Sequence, residues 1–411
     1  MRRIALGLTL IVIFMIPWEG VLRLAGAGQS GTTVVRLVGL GVFAFWIATV
    51  IITGRFRKPG IFHIAVFLFV LWNALSVFWS AIPSRTVTQL ITWVQLLGLT
   101  ILIWDLFTTR NTILAGLQAY ILGAYVAVGI AAMNFMAGRA FYTHYQRFSP
   151  DETNPDGYGF ILALGIPVAW YLASSISELE WGKWLKWINY GYIPVAFLGI
   201  ALSGTRTALI AAVPGMIYGL LTLFRIRLST RIIATILLGG AILFAIPFVQ
   251  TLPSFQRFGT IGAEISQGDL NNRTTNWLEG LASFEEYPLL GVGSNMYRSV
   301  NIRGRVAHNS FISVLVQLGL IGFILFVGIL TIAALYAWVQ SKWDRRFWIT
   351  MLLVWTIGAS TLTWEHRKTT WLFTSLLVTS AAAYKIQKED ATIELVGDPE
   401  SSLLLDSKGS T

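Results

Sequence analysis

The chain has 411 residues, of which 55% are hydrophobic and only 12% are charged, and its formal net charge is +10. Soluble domains are about half apolar but carry charge on about a quarter of their residues. The mean hydropathy of +0.66 therefore excludes an ordinary soluble enzyme. The absence of cysteine excludes disulfides, thiolate metal sites and a cysteine nucleophile.

Apolar runs of about 20 residues, the length that crosses a bilayer as a helix, recur along most of the sequence. A short charged start, Met1-Arg2-Arg3, precedes the first run, but no small-residue cleavage site follows it, so we interpret this run as an uncleaved helix. The pattern predicts an all-α, polytopic membrane protein with about twelve transmembrane helices. They lie near 4–22, 33–54, 60–80, 86–107, 112–137, 156–175, 186–203, 206–224, 231–252, 309–339, 345–363 and 369–385.

These spans divide the chain into four parts: helices 1–9 in 1–252, one large outer loop in 253–307, helices 10–12 in 308–385, and a flexible tail in 386–411. Within the loop, residues 273–284 carry apolar side chains at helical spacing, which predicts a short amphipathic helix on the membrane surface. These side chains are Trp277, Leu278, Leu281 and Phe284.

Lys and Arg are roughly twice as frequent at one set of helix ends as at the other, and such a bias marks the cytoplasmic side. The distribution predicts that both termini lie in the cytoplasm and that the large loop lies outside. Because topology accounts for the basic charge, we expect no nucleic-acid partner, and membrane lipids are the expected surroundings.

Two arginines stand at predicted helix starts on the outer side. Arg206 follows Ser203-Gly204-Thr205, a sequence suited to a tight turn and a helix cap, and Arg273 begins the amphipathic helix. Helix N-termini attract anions, and the forked guanidinium group suits phosphate, so the two arginines are suited to clamp a diphosphate. The alternative at each position is an arginine that only extends to solvent.

His308 lies where the tenth apolar run begins, in the sequence Ala-His-Asn-Ser. Nearby positive charge disfavours the imidazolium, so His308 is a candidate general base, with Asn309 as a candidate to orient it or to bind a sugar hydroxyl. An interfacial histidine without a chemical role is the alternative. No Asp-x-Asp or His-x-x-x-His pattern occurs, so the sequence predicts neither a metal site nor a cofactor.

Four segments in this order resemble the O-antigen ligase and O-antigen polymerase superfamily of bacterial membrane glycosyltransferases. They are RFSPDETNPDGYGFILALGIPVAW (147–170), LSGTRTAL (202–209), NNRTTNWLEGLASFEEYPLLGVG (271–293) and AHNSFISVLVQLGLIGFILF (307–326). In the first segment, Asn154-Pro155-Asp156 departs from the commoner Asn-Pro-Asn. In the last, Gly319 and Gly322 are expected to let neighbouring helices pack closely and hold His308 in place.

The resemblance implies a GT-C-like fold in the bacterial inner membrane, with an active site that faces outside. It implies a glycan donor carried on undecaprenyl diphosphate and an acceptor sugar hydroxyl. By resemblance, Arg206 and Arg273 bind the diphosphate, His308 deprotonates the acceptor, and Arg147 contacts glycan or phosphate. The implied transfer is metal-independent and inverting.

The acceptor distinguishes two activities within the superfamily. A ligase joins the glycan to lipid A–core, whereas a polymerase joins carrier-linked repeat units to each other. The compact size and the single large loop favour the ligase, and the O-antigen or exopolysaccharide polymerase is the alternative. A transporter or flippase of lipid-linked sugars would be expected to show inverted repeats and polar residues near the midplane, and the sequence has neither.

Overall fold

A computed structural model describes residues 1–21, 33–142, 145–175, 182–223, 228–256 and 273–397. Within these ranges the chain is helical and contains no β-strand beyond one isolated bridge, between Tyr142 and Arg147. The predicted all-α class is therefore confirmed. Residues 257–272 of the predicted outer loop and 398–411 of the predicted tail lie outside the described residues.

Each of the twelve predicted spans coincides with a helix. In chain order the first six are α1 (Arg2–Met15), continued by a 3₁₀ helix (Ile16–Val21), α2 (Val34–Thr53), α3 (Ile61–Leu75), α4 (Pro83–Leu106), α5 (Arg110–Met136) and α6 (Pro155–Ser175). They are followed by α7 (Gly182–Ser203), α8 (Arg206–Leu223) and α9 (Leu228–Thr251), then the short helices α10 (Pro253–Gln256) and α11 (Arg273–Glu286). The last three are α12 (Ser310–Trp338), α13 (Lys342–Ala359) and α14 (Lys368–Gly397).

Within the described ranges, nine helical segments are long and apolar enough to cross a membrane. The chain is therefore a multi-pass membrane protein. The last helix runs to Gly397, twelve residues beyond the predicted end of the twelfth span at 385. Residues 386–397, which the sequence predicted to be part of a flexible tail, are thus helical.

Helix α6 lies at the centre of the bundle. Every residue from Tyr158 to Ala173 is buried, and α6 packs against α5, α7, α8 and α13. A helix that is apolar on all sides is one that other helices surround. Glycines permit the close approach: a Cβ on Gly165 would lie 2.2 Å from the Tyr192 hydroxyl oxygen, and one on Gly358 would lie 2.0 Å from the Phe160 ring.

The alternating direction of the helices gives the bundle two chemically different ends. At the end where α1 begins, Arg2 pairs with buried Asp105 at 2.9 Å, and Arg110 pairs with Asp344 at 3.1 Å. At the opposite end, α6, α8, α12 and α14 all begin, and the residues predicted to form the site lie there. Residues far apart in the sequence are thus collected at one end of the bundle.

Helix α12 is broken at Gly319, whose φ of +65° and ψ of −169° lie outside the helical region. The break removes helical hydrogen bonds, and the outer loop replaces them. The amide of Val292 donates to the carbonyl of Val316 at 3.0 Å, and the amide of Leu320 donates to the carbonyl of Pro288 at 2.8 Å. Backbone groups at membrane depth need hydrogen-bond partners, and this part of the loop supplies them to the broken helix. The loop and α12 therefore form one structural unit.

Gly319 and Gly322 have different surroundings. A Cβ on Gly322 would lie 3.1 Å from the Trp72 ring on α3, so this glycine does bring two helices together. A Cβ on Gly319 would collide with the Leu289 carbonyl oxygen at 2.2 Å. Gly319 therefore admits the loop backbone, not a neighbouring helix as the sequence had led us to expect.

Candidate active site

A cavity of about 650 Å³ opens at the end of the bundle where α6, α8, α12 and α14 begin. Its walls come from the end of α3, the first half of α4, the start of α6, the loop before α12, the first half of α12 and residues 362–367. Its charged and titratable lining includes Arg85, Asp156, Arg298, His308, Glu365 and His366. The cavity is large enough for a sugar unit and presents charges of both signs.

His308 lines this cavity and is held through its backbone. Its φ is +50°, an uncommon conformation for a residue other than glycine, and its amide donates to the Thr363 hydroxyl oxygen at 3.0 Å. The preceding carbonyl, that of Ala307, accepts a hydrogen bond from the Trp277 indole at 2.7 Å. A strained residue that the surrounding structure fixes in this way is typical of functional sites.

The pKa of His308 is lowered from its usual 6.5 to about 4, chiefly by burial and next by the positive charge of Arg273. Arg305 and Arg298 add smaller contributions of the same sign, and Asp156 opposes them. The imidazole is thus neutral near pH 7. The sequence predicted a neutral His308 from the arginines alone, but its burial is the larger cause.

Helix α11, which begins at Arg273, packs over the segment that precedes His308. Besides the Trp277 contact, the Asn276 side-chain amide donates to the Val306 carbonyl at 2.8 Å. The buried positions of α11 are Asn276 and Gly280, and a Cβ on Gly280 would lie 2.5 Å from the Tyr297 hydroxyl oxygen. A helix therefore begins at Arg273 as predicted, and its buried face packs on the segment before His308, whereas Leu278, one of the apolar residues behind the prediction, is exposed.

Arg147 is buried and engaged within the protein. Its guanidinium donates to Asp156 Oδ1 at 2.6 Å, to the Ser203 carbonyl at 2.7 Å and to the Thr205 hydroxyl at 3.1 Å. These contacts join the start of α6 to the turn between α7 and α8. The geometry gives Arg147 a positioning role beside Asp156, which itself lines the cavity.

Arg206 is the first residue of α8, as the sequence predicted. The turn before it requires glycine, because Gly204 has a φ of +58° and a Cβ there would lie 2.7 Å from the Ser254 carbonyl oxygen. The Arg206 side chain is partly buried at the same end of the bundle but does not line the cavity.

Asn309 caps α12. Its side-chain oxygen accepts hydrogen bonds from the amides of Phe311 and Ile312 at 2.9 and 3.1 Å. Capping fixes the direction in which the chain leaves His308, so Asn309 orients the histidine through the backbone. The side-chain oxygen of Asn309 is thus engaged in capping α12.

Sequence reasoning gave no role to the 362–367 segment, which contributes Thr363, Glu365 and His366 to the cavity wall. The signal was present, since Glu365 and His366 are ionisable residues between two apolar runs on the predicted outer side. Nothing in the sequence connects them to His308, which lies more than fifty residues earlier. Within the described ranges, no group of three or more His, Asp or Glu side chains is arranged to hold a metal ion.

Comparison with known proteins relates this geometry to a family. The family model described as O-antigen ligase matches residues 192–327, which contain Arg206, Arg273, His308 and Asn309. The resemblance to the O-antigen ligase and polymerase superfamily is confirmed. The chain is also 25% identical over 318 residues to the exopolysaccharide production protein ExoQ of Rhizobium meliloti (strain 1021), which covers 72% of this chain and 70% of that relative. Arg147 and Glu365 lie outside the O-antigen ligase match.

Proposed function

We propose that this protein transfers a glycan from undecaprenyl diphosphate to a sugar hydroxyl at the outer face of the bacterial inner membrane. The observation that carries the proposal is His308, a neutral imidazole in the wall of a sugar-sized cavity, under the influence of three arginine charges. A neutral imidazole can accept a proton from a hydroxyl, and arginines can stabilise a diphosphate that departs.

In this mechanism His308 takes the proton from the acceptor hydroxyl as its oxygen attacks the anomeric carbon of the donor. The new glycosidic bond forms as the bond from that carbon to the diphosphate oxygen breaks, so the configuration inverts. Arg206 and Arg273 stabilise the negative charge that develops on the diphosphate, and His308 later returns its proton to water. The step needs no metal, because arginines supply the positive charge.

The orientation follows from the two ends of the bundle. Lys and Arg are concentrated at the end where α1 begins, which the positive-inside rule places in the cytoplasm. With that assignment both termini are cytoplasmic, and the His308 cavity opens on the outer face of the membrane.

For the acceptor, lipid A–core is the first candidate, since the matched family model is described as O-antigen ligase. A second candidate is polymerisation, in which the acceptor is another carrier-linked glycan. The ExoQ relative favours this alternative, because its name concerns exopolysaccharide production and it matches over most of this chain. The product distinguishes the two: a capped core in one case and a longer carrier-linked chain in the other.

The test is transfer from purified undecaprenyl-diphosphate glycan, with a chelator present, to lipid A–core and to a second carrier-linked glycan in parallel. His308→Ala is expected to fold, to bind the donor and to lose transfer. His63→Ala is the matched control, because it removes an imidazole at the opposite end of the bundle, near the start of α3 and outside the cavity wall, and it should retain transfer. Wild-type turnover by His308→Ala would overturn the mechanism, and no transfer to either acceptor would overturn the function.

A further inference from the structure

Glu365 is a buried carboxylate that the proposed mechanism does not use. It is 3% exposed and lines the cavity. One oxygen, Oε1, accepts a hydrogen bond from the Ser313 hydroxyl at 2.7 Å and lies 3.6 Å from His366 Nδ1. The other oxygen, Oε2, is buried and has no hydrogen-bond partner within the described part of the chain.

The segment that carries Glu365 is fixed on both sides. The Trp371 indole donates to the Glu365 carbonyl at 2.8 Å, and the Trp364 amide donates to the Ser310 hydroxyl oxygen, also at 2.8 Å. Ser310 in turn donates to the Leu362 carbonyl. The backbone around Glu365 is thus held in place by α12 and α14 before any ligand arrives, and only the side chain has to rotate to present Oε2 to a ligand in the cavity.

A buried carboxylate oxygen without a donor is costly, because folding has removed the water that would otherwise solvate it. Such a group is expected where a ligand supplies the missing donor. A diphosphate cannot do so, because it is anionic and the carboxylate repels it. A sugar hydroxyl can, since it is a neutral donor and carboxylates form strong hydrogen bonds with hydroxyl groups.

We propose that Glu365 Oε2 accepts a hydrogen bond from a hydroxyl group of the acceptor sugar and thereby positions that sugar against His308. This inference rests on the proposed function, since it assigns an acceptor to the same cavity. The acceptor is favoured over the donor sugar because Thr363, two residues before Glu365, holds the backbone amide of His308. The base and the carboxylate therefore belong to one connected wall of the cavity.

The experiment compares steady-state kinetics of wild type and Glu365→Gln, with donor and acceptor varied separately. The amide keeps the shape and can still accept from Ser313, but it presents a donor where Oε2 was. Hydrogen bonds to charged groups are strong enough to predict a rise in the acceptor KM of about tenfold to a hundredfold. The donor KM and the pH at which activity is lost should not change. Glu285→Gln is the matched control, because this glutamate is exposed on α11 and does not line the cavity.

A second measurement does not depend on the variant folding. Acceptors that each lack one hydroxyl group are tested with wild type, and one of them should show the same loss as Glu365→Gln. With that acceptor, wild type and Glu365→Gln should have equal KM values, because the contact is already absent. If the KM of no deoxy acceptor is at least about tenfold higher than that of the complete acceptor, the proposal is wrong, even if Glu365→Gln does not fold.

The other possible results of the Glu365→Gln kinetics also test the proposal. An unchanged acceptor KM in Glu365→Gln, a rise in the donor KM alone, or a shift in the acid limit of activity would each overturn the assignment. Failure of the proposed function is distinguishable, because wild type would then transfer nothing to any acceptor. In that case binding of the acceptor oligosaccharide to wild type and Glu365→Gln is measured directly, and equal affinities would overturn the inference as well.

Discussion

Lowering the pH from 7 to 5 tests whether His308 is the base, because a partly buried histidine with a lowered pKa stays neutral where a fully solvated histidine is protonated. With a pKa of about 4, roughly 90% of His308 remains neutral at pH 5. A histidine with the usual pKa of 6.5 would be about 3% neutral at that pH. We therefore expect kcat/KM at pH 5 to stay close to its value at pH 7 and to fall only as the pH approaches 4, whereas an enzyme with an ordinary histidine as its base would lose about 25-fold over the same interval.

The arginine contribution is tested by Arg273→Gln. Removing this positive charge raises the pKa of His308, so the acid limit of the residual activity should move to higher pH. It should remain below 6.5, because burial, the larger cause, is unchanged. Arg303→Gln is the control: it removes an exposed arginine from the same loop, and Arg303 is not among the charges that shift His308.

The assay is the initial rate of glycan transfer in detergent between pH 4 and pH 8, with each sample returned to pH 7 to show that activity recovers. Loss of wild-type activity centred near pH 6.5 would refute the assignment of His308 as a base that its surroundings keep neutral. An acid limit that does not move in Arg273→Gln would refute the electrostatic link between α11 and the histidine.

Two further predictions concern the framework around the site. Gly319→Ala should reduce the unfolding free energy by at least about 3 kcal/mol, because φ is positive there and the new Cβ would collide with the Leu289 backbone. Gly328→Ala, in open space on the same helix, is the control and should be neutral or mildly stabilising. Denaturant unfolding measures both. Arg147→Gln and Asp156→Asn should each cost about 3–5 kcal/mol, and the double variant should cost clearly less than their sum, which a double-mutant cycle measures. Additivity in that cycle, or a fully stable Gly319→Ala, would contradict the described packing.

Most of the fold was predictable because the bilayer imposes a length and an apolar composition on every crossing helix. The break in α12 was not. A glycine inside a strongly apolar run is compatible with a continuous helix. Only the structure, in which the Leu289 backbone packs against Gly319, shows that the first half of α12 ends at this glycine. Local hydropathy carries no information about a contact between a helix and a loop that precedes it in the chain.

The candidate site was predictable in part. Charge at helix starts pointed to His308 and to Arg273, and in the structure the charge of Arg273 lowers the pKa of His308. The partner of Arg147 was not recognised, because Asp156 lies nine residues later and the sequence does not show that the two meet inside the bundle. Glu365 was visible as an outer-side acid, but its unpaired oxygen is a property of three-dimensional packing alone.

The hydrogen bonds across the break in α12 also determine which pieces of the chain can be inherited separately. The loop residues from Pro288 to Gly293 and the helix residues from Val316 to Leu320 supply each other's missing backbone partners. If recombination replaced only the loop segment or only the helix segment with that of a distant relative, the loop would no longer match the position of the break in the helix. Chimeras between this chain and a similar protein should therefore place their junctions before Pro288 and after Gly322, so that this unit and His308 are exchanged together.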